Sequence, residues 1–213
     1  MANRAQQFWD KQAGKYDAGE KAFEQVYREV LAKTKKYLSP GDHVLDFGCA
    51  TGTRTLALAG SVRHIHGLDF SGEMIREALK KKEKIKVGNA TFSRGSIFDE
   101  SLEKESFDAV IAYAVLQLLE DYEAVIRRIR ELLKPGGYFI STTPLLKEKM
   151  NFKTRLNFTL LHLLRSLGLF PLHLNRFTVG DVENLLEQND FQLVETERIP
   201  YEMTVLFLAG RKK

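Results

Sequence analysis

The residues best suited to chemistry sit in one short stretch, Val44-Leu45-Asp46-Phe47-Gly48-Cys49-Ala50-Thr51-Gly52. An apolar run ends in an acid, glycines follow at short spacing, and Thr53 to Ala59 reads as a helix. That pattern describes a buried parallel strand whose C-terminal end enters a tight turn and a helix N-terminus, where open α/β sheets bind ligands. Gly48 and Gly52 let the backbone approach a ligand closely, because no Cβ intervenes. A buried carboxylate is costly unless it is hydrogen-bonded, so Asp46 has work to do. It suits a ligand with positive charge or donor groups better than a pyrophosphate; the plainer alternative is that it only accepts from loop amides. A second acid, Asp69, closes the next apolar run.

The elements that must position these acids follow from periodicity. Residues 3 to 16 carry Phe8, Trp9 and Tyr16 among polar neighbours and read as a short helix. Phe23, Val26, Tyr27, Val30 and Leu31 recur at helical spacing between Ala22 and Tyr37. Beyond the glycine turn, Ile65 to Leu68 reads as a strand, and Ser71 as the N-cap of a helix with Met74, Ile75, Ala78 and Leu79 on its apolar face. The charge run Lys80 to Lys86 reads as a solvated helix end. Ala90 to Arg94, Phe107 to Ala112 and Tyr138 to Thr142 read as strands, with a helix over Tyr122 to Leu133 stopped by Lys134-Pro135-Gly136-Gly137. Thr178-x-x-Asp181 is a capping-box pattern opening a helix through Leu186. Phe191 to Arg198 and Met203 to Ala209 lie about four residues apart, which demands antiparallel pairing. The expected fold is α/β: a doubly wound, Rossmann-like, seven-stranded sheet, mostly parallel, with a C-terminal antiparallel hairpin.

Bulk properties narrow the classes. The 213 residues fit one domain with a sizeable core. A net charge of +4, from 32 bases against 28 acids, is too mild to imply nucleic acid. One cysteine allows no internal disulfide, and the five histidines show no metal-ligand spacing. Met1 to Asp10 lacks an apolar signal core and no apolar run is long enough for a membrane span, so a cytoplasmic enzyme is expected.

Five motifs in order carry a family resemblance: Val44 to Gly52, Gly67-Leu68-Asp69-Phe70-Ser71, Gly95-Ser96-Ile97-Phe98-Asp99, Ser106-Phe107-Asp108-Ala109-Val110 and Leu132-Leu133-Lys134-Pro135-Gly136-Gly137. With them the chain resembles class I S-adenosylmethionine-dependent methyltransferases of the small-molecule, type 11 kind. The resemblance covers residues 40–143 and, more loosely, 178–210. It implies that the backbone of Gly48, Cys49, Ala50 and Gly52 binds the methionine amino and carboxylate groups, with Asp46 supporting the turn and the amino end. It implies Asp69 on the ribose hydroxyls, and Phe70, Met74 and Ile97 around adenine, where ordinary core packing is the alternative. Ser96 stands where relatives place an acid that reads the adenine amino group, and Asp99 is close by as a substitute. Tyr113 belongs to the same implied cofactor set. Tyr16 falls in a segment similar to the family's cap, either at the methionine end or structural.

Ala50 replaces a glycine usual in the family, a change that an ordinary dihedral tolerates. Gln117 replaces a histidine that many relatives place near the substrate, and glutamine can orient an acceptor but not act as a base. Cys49 reads as a packing residue, since no activating partner is evident. No catalytic residue is assigned from the sequence. The implied reaction moves a methyl group from a sulfonium to a small-molecule acceptor by in-line displacement. The alternatives are a Rossmann-type NAD(P)-dependent oxidoreductase, against which the incomplete Gly48-x-x-x-Gly52 fingerprint counts, or a non-catalytic S-adenosylmethionine-binding module.

The domain reading is a single unit, 1–213, with a helical cap over 1–38 and an inserted helical lid over 145–176. Leu156, Leu160, Leu163, Leu164 and Leu167 recur at helical spacing in the latter, with Lys147, Lys149, Lys153 and Arg155 toward its start. Three readings stay open: a helix packed on the core, a lid in which Leu160 and Leu164 face an apolar acceptor, or an interfacial helix on anionic membrane.

Overall fold

Apolar runs flanked by turn residues become the strands of one twisted sheet with helices on both faces. The structure is a computed structural model that describes residues 4–148 and 150–213; the side chain of Lys153 is also undescribed, so the bases expected at Lys149 and Lys153 lie outside the described residues. In chain order the helices are α1 (Arg4–Glu20), α2 (Glu24–Thr34), α3 (Thr53–Leu58), α4 (Gly72–Ile85), α5 (Tyr122–Leu132), α6 (Phe152–Ser166) and α7 (Val179–Glu187). The strands are β1 (His43–Phe47), β2 (His64–Asp69), β3 (Ala90–Arg94), β4 (Phe107–Tyr113), β5 (Leu133–Pro144), β6 (Phe191–Ile199) and β7 (Val205–Lys212).

The sheet order is β3-β2-β1-β4-β5-β7-β6. The pairs from β3 to β5 are parallel, while β7 runs antiparallel to both β5 and β6. The chain winds outward from β1 through β2 to β3, then returns to β4 on the other side. The strand order therefore reverses between β1 and β4, the place where open α/β sheets form a ligand crevice.

Two apolar layers hold the helices on. On one face α5 and α7 bury Ile126, Ile129, Val182 and Leu186 against Leu45, Val110, Phe139 and Phe191. On the other, α2 and α3 bury Val26, Val30 and Leu58 against Val44, Ile65, Ile111 and Phe207. Each fully buried Phe or Ile contributes about 1.5–3 kcal/mol, so these layers fix β1 and β4 firmly under the crevice. α7 opens with the expected capping box: Thr178 Oγ1 accepts from Asp181 N, and Asp181 Oδ2 accepts from Thr178 N.

Two elements differ from expectation. α1 runs on to Glu20, four residues beyond the expected end, because Asp17 and Glu20 find partners on the glycine turn and α3. Lys134 to Gly137 does not separate helix from strand; β5 starts at Leu133, directly after α5. The leucines of α6 divide between the open readings: Leu161 and Leu164 are half-buried, while Leu156, Leu160, Leu163 and Leu167 are all more than half exposed.

Candidate active site

The first crossover builds the site. β1 delivers Asp46 buried, and the turn after it runs through three left-handed residues, Gly48 (φ +73), Ala50 (φ +49) and Gly52 (φ +71). Gly48 is required twice over. Its φ suits glycine, and a Cβ there would meet Val115 Cγ2 at 2.5 Å. Ala50 departs from the expectation of an ordinary dihedral: it sits in the left-handed region, which costs a residue with Cβ roughly 1–2 kcal/mol.

Asp69 at the end of β2 compensates. Its Oδ2 accepts from Ala50 N and its Oδ1 from Ser71 N, both at 2.9 Å, so the β2 carboxylate clamps the β1 turn. Each oxygen keeps a further lone pair for a ligand hydroxyl. Burial pushes the Asp69 carboxyl up against the opposing pull of those two amides. Asp46 Oδ2 accepts from Thr55 Oγ1 at 2.5 Å, and burial pushes its pKa up to about 6. The Asp69 carboxylate raises Asp46 further and Asp10 raises Asp69, and neither Asp46 nor Asp69 has an ion pair among the described residues. Burial pushes the Cys49 thiol well up, so it stays protonated and packs in the turn.

Helix α1 covers this turn and is tied to it by three acids that periodicity did not single out. Asp10 Oδ1 accepts from Ser71 Oγ at 2.6 Å and from Glu73 N at 3.3 Å, joining the N-terminus of α4. Asp17 Oδ1 accepts from Thr51 Oγ1 at 2.6 Å and Thr53 Oγ1 at 3.2 Å, with Lys81 pairing its other oxygen. Glu20 pairs with the nearly buried Arg54 of α3, whose guanidinium lies 4.4 Å from the Tyr27 ring centre. Between these ties, Ala13, Trp9 and Tyr16 pack on Ala50 and Met74. Burial pushes the Tyr16 hydroxyl up to about 12. A cavity of about 240 Å³ opens between α1, α2 and the turn, lined by Tyr16, Tyr27, Cys49, Ala50 and Arg54 among others.

The other expected residues divide. Ile97 and Met74 are buried, while Phe70 and Ser96 are exposed. Ser96 Oγ accepts from Phe98 N, and Asp99 Oδ1 from Ser101 N, so both side chains shape their own loop. That loop is gripped by Arg128 of α5, which donates to the carbonyls of Ile97, Asp99 and Leu102, a clamp the sequence did not reveal. Tyr113 turns toward α2: its hydroxyl bonds Thr34 Oγ1, and burial pushes its pKa up. Its side chain is therefore committed to the helix layer rather than to the turn.

At the C-terminal end of β4, Gln117 is buried. Its Nε2 donates to Ala114 O at 2.6 Å, and its Oε1 has no partner among the described residues. The segment after α6 closes over it, with Asn175 N donating to Gln117 O at 2.7 Å. α6 is held by Asn151 N to Glu202 O, and its far end meets α1 through Arg4 to Gly168 O and a Phe8–Phe170 edge contact. Leu164 is half-buried and Leu160 is more than half exposed; about 40° apart on the helix, they straddle the edge between its attached and exposed sides. His64 and His66 bond Thr91 and Ser93 across the strand pair, a structural use.

A protein-family profile described as a methyltransferase domain matches residues 38–190, most of the chain. The chain belongs to the methyltransferase domain family. It is 35% identical over 111 residues to an uncharacterised methyltransferase of Schizosaccharomyces pombe, 48% of this chain and 40% of that one. It is 31% identical over 115 residues to a demethylmenaquinone methyltransferase of Alkalihalophilus pseudofirmus, 53% of this chain and 48% of that one. The chain thus spans about half the length of these curated relatives. Among solved structures, magnesium protoporphyrin IX methyltransferase from Synechocystis PCC 6803 superposes with a TM-score of 0.69 at 24% identity, over 90% of this chain and 84% of that one, which shows the same fold. Membership of this family removes the oxidoreductase alternative.

The methyltransferase turn fits S-adenosylmethionine on its own chemistry. Two buried carboxylates without an ion pair favour a cationic ligand, and this one brings an ammonium and a sulfonium. The absent Cβ at Gly48 lets Val115 pack directly against the left-handed turn and hold it in place beneath the ligand crevice.

Proposed function

We propose that the protein transfers a methyl group from S-adenosylmethionine to a small, largely apolar acceptor. The observation that carries this is the pair of buried acids, Asp46 and Asp69, at the ends of neighbouring parallel strands around a left-handed glycine turn. Asp69 holds the turn and offers its remaining lone pairs to the ribose hydroxyls. Asp46 faces the amino end, and Gly48, Cys49 and Ala50 supply backbone. Met74 and Ile97 flank the adenine. When bound, the cofactor supplies the activated methyl group.

The chain's own part is to orient the acceptor and exclude water. α1 roofs the turn, and Gln117 Oε1, buried and without a partner among the described residues, stands beyond the end of β4, where it would accept from a hydroxyl or amine on the acceptor. The segment after α6 borders that end of the sheet through Asn175. Gln117 itself is no base, so the acceptor's nucleophile must be acidic or already basic enough to react. The printed names of relatives, a demethylmenaquinone and a magnesium protoporphyrin methyltransferase, agree with flat apolar acceptors. The test is production of S-adenosylhomocysteine in the presence of a panel of small phenols, quinols and carboxylic acids. Turnover that depends on one acceptor class supports the proposal. Cofactor binding with no turnover on any of them would leave the non-catalytic binding module as the better reading.

A further inference from the structure

Among the described residues nothing covers the outer face of α6. Phe152, Leu156, Leu160, Leu163 and Leu167 are 52–81% exposed. At 3.6 residues per turn they fall within about 80° of arc, so they form one continuous stripe on a helix about 22 Å long. The opposite face is the attached one: Thr154 is buried, and Phe158, Leu161 and Leu164 are half-buried. The stripe is therefore the outer part of a wide apolar arc whose inner part holds the helix on. Leu169, 67% exposed, extends it past the helix end.

Charge separates this segment from the rest of the chain. From Lys149 to Gly180 the sequence has five bases, Lys149, Lys153, Arg155, Arg165 and Arg176, and no acid. The remainder has 27 bases against 28 acids, so the chain's net positive charge resides here. Arg155 and Arg176 are exposed, and neither has an ion pair among the described residues. A helix with a clean apolar stripe, basic flanks and insufficient length to cross a bilayer matches the physics of an interfacial helix.

We propose that α6 docks this protein onto an anionic lipid bilayer, with the Phe152–Leu167 stripe in the acyl boundary and the bases at the headgroups. Charge argues against a second copy as the occupant: a two-fold contact through α6 sets one acid-free basic segment against another. It argues equally against a neutral apolar ligand, which would leave the bases without a role. Docking would also place the Phe8–Phe170 and Asn175–Gln117 contacts close to the lipid, so an apolar acceptor could pass from the bilayer to the end of β4. The docking itself does not rest on methyl transfer, since it is read without cofactor or acceptor.

The experiment is co-sedimentation of the full chain with phosphatidylcholine vesicles, with and without phosphatidylglycerol, at low and high salt. Binding is expected to be at least about tenfold tighter to the anionic vesicles and to fall about tenfold in high salt. Leu156→Ser with Leu163→Ser is expected to weaken it about tenfold or more. Both side chains are exposed, so the melting temperature should hold. If it does not, Arg155→Glu decides, with an expected loss of about fivefold at unchanged stability. Three results would overturn the proposal: no binding to anionic vesicles, binding indifferent to all three substitutions, or a dimer in light scattering that the leucine substitutions dissociate.

Discussion

Asp46→Asn separates the stability of the fold from its function. Burial lifts the Asp46 carboxyl from 3.8 to about 6, so the folded state binds this proton more tightly than the unfolded chain does. Its ionisation therefore destabilises the fold progressively as pH rises from about 4 to about 6, and the penalty is constant above that. At roughly 1.4 kcal/mol per unit, the penalty is about 3 kcal/mol at pH 7.5 and about half of that at pH 5. Asparagine cannot ionise, and its oxygen can still accept from Thr55 Oγ1. Its amino group carries a fixed, pH-independent cost, which cancels when the two pH values are compared. The stability of Asp46→Asn relative to the parent should thus be more favourable at pH 7.5 than at pH 5, by on the order of 1 kcal/mol. Urea unfolding without cofactor at both pH values measures this. The same variant should bind S-adenosylmethionine at least tenfold more weakly, having lost a charge-assisted bond of about 1.5–3 kcal/mol. A stability difference that is the same at both pH values would refute the burial argument.

Ala50→Gly should raise stability by about 0.5–1 kcal/mol, because it relieves a left-handed alanine; the thermal midpoint checks it, and a fall would mean the dihedral is not strained. Glu20→Gln should loosen α1 at its C-terminal tie to the nearly buried Arg54, costing about 1–2 kcal/mol given the partial exposure of Glu20. Hydrogen exchange should then quicken in α1 and leave β1 and β4 unchanged.

Much of the fold was legible because strands buried on both sides read as short apolar runs between turn residues. β3 fell at its expected limits, and the five motifs placed Asp46 and Asp69 on adjacent strand ends. Less was legible where meaning depends on what faces a side chain. Tyr113 continues a buried strand, and only the packing of α2 shows that its hydroxyl belongs to Thr34. Arg54 and Arg128 are two bases among 32, and their burial against Glu20 and three loop carbonyls has no periodic signal. Periodicity gave α6 an apolar arc but could not say that half of it is exposed. The acids of α1, at 10, 17 and 20, read as solvated charge until the helix is seen lying across the turn.

The most direct measurement is calorimetric titration of S-adenosylhomocysteine into the parent protein and into Asp69→Asn, with NADH as the competing ligand. Asparagine keeps the size of Asp69 and one acceptor for the Ala50 or Ser71 amide. The account predicts stoichiometric binding to the parent, a loss of tenfold or more in Asp69→Asn from bonds worth about 1.5–3 kcal/mol, and no heat with NADH. Unchanged affinity in a folded Asp69→Asn, or binding of NADH with S-adenosylhomocysteine silent, would contradict it.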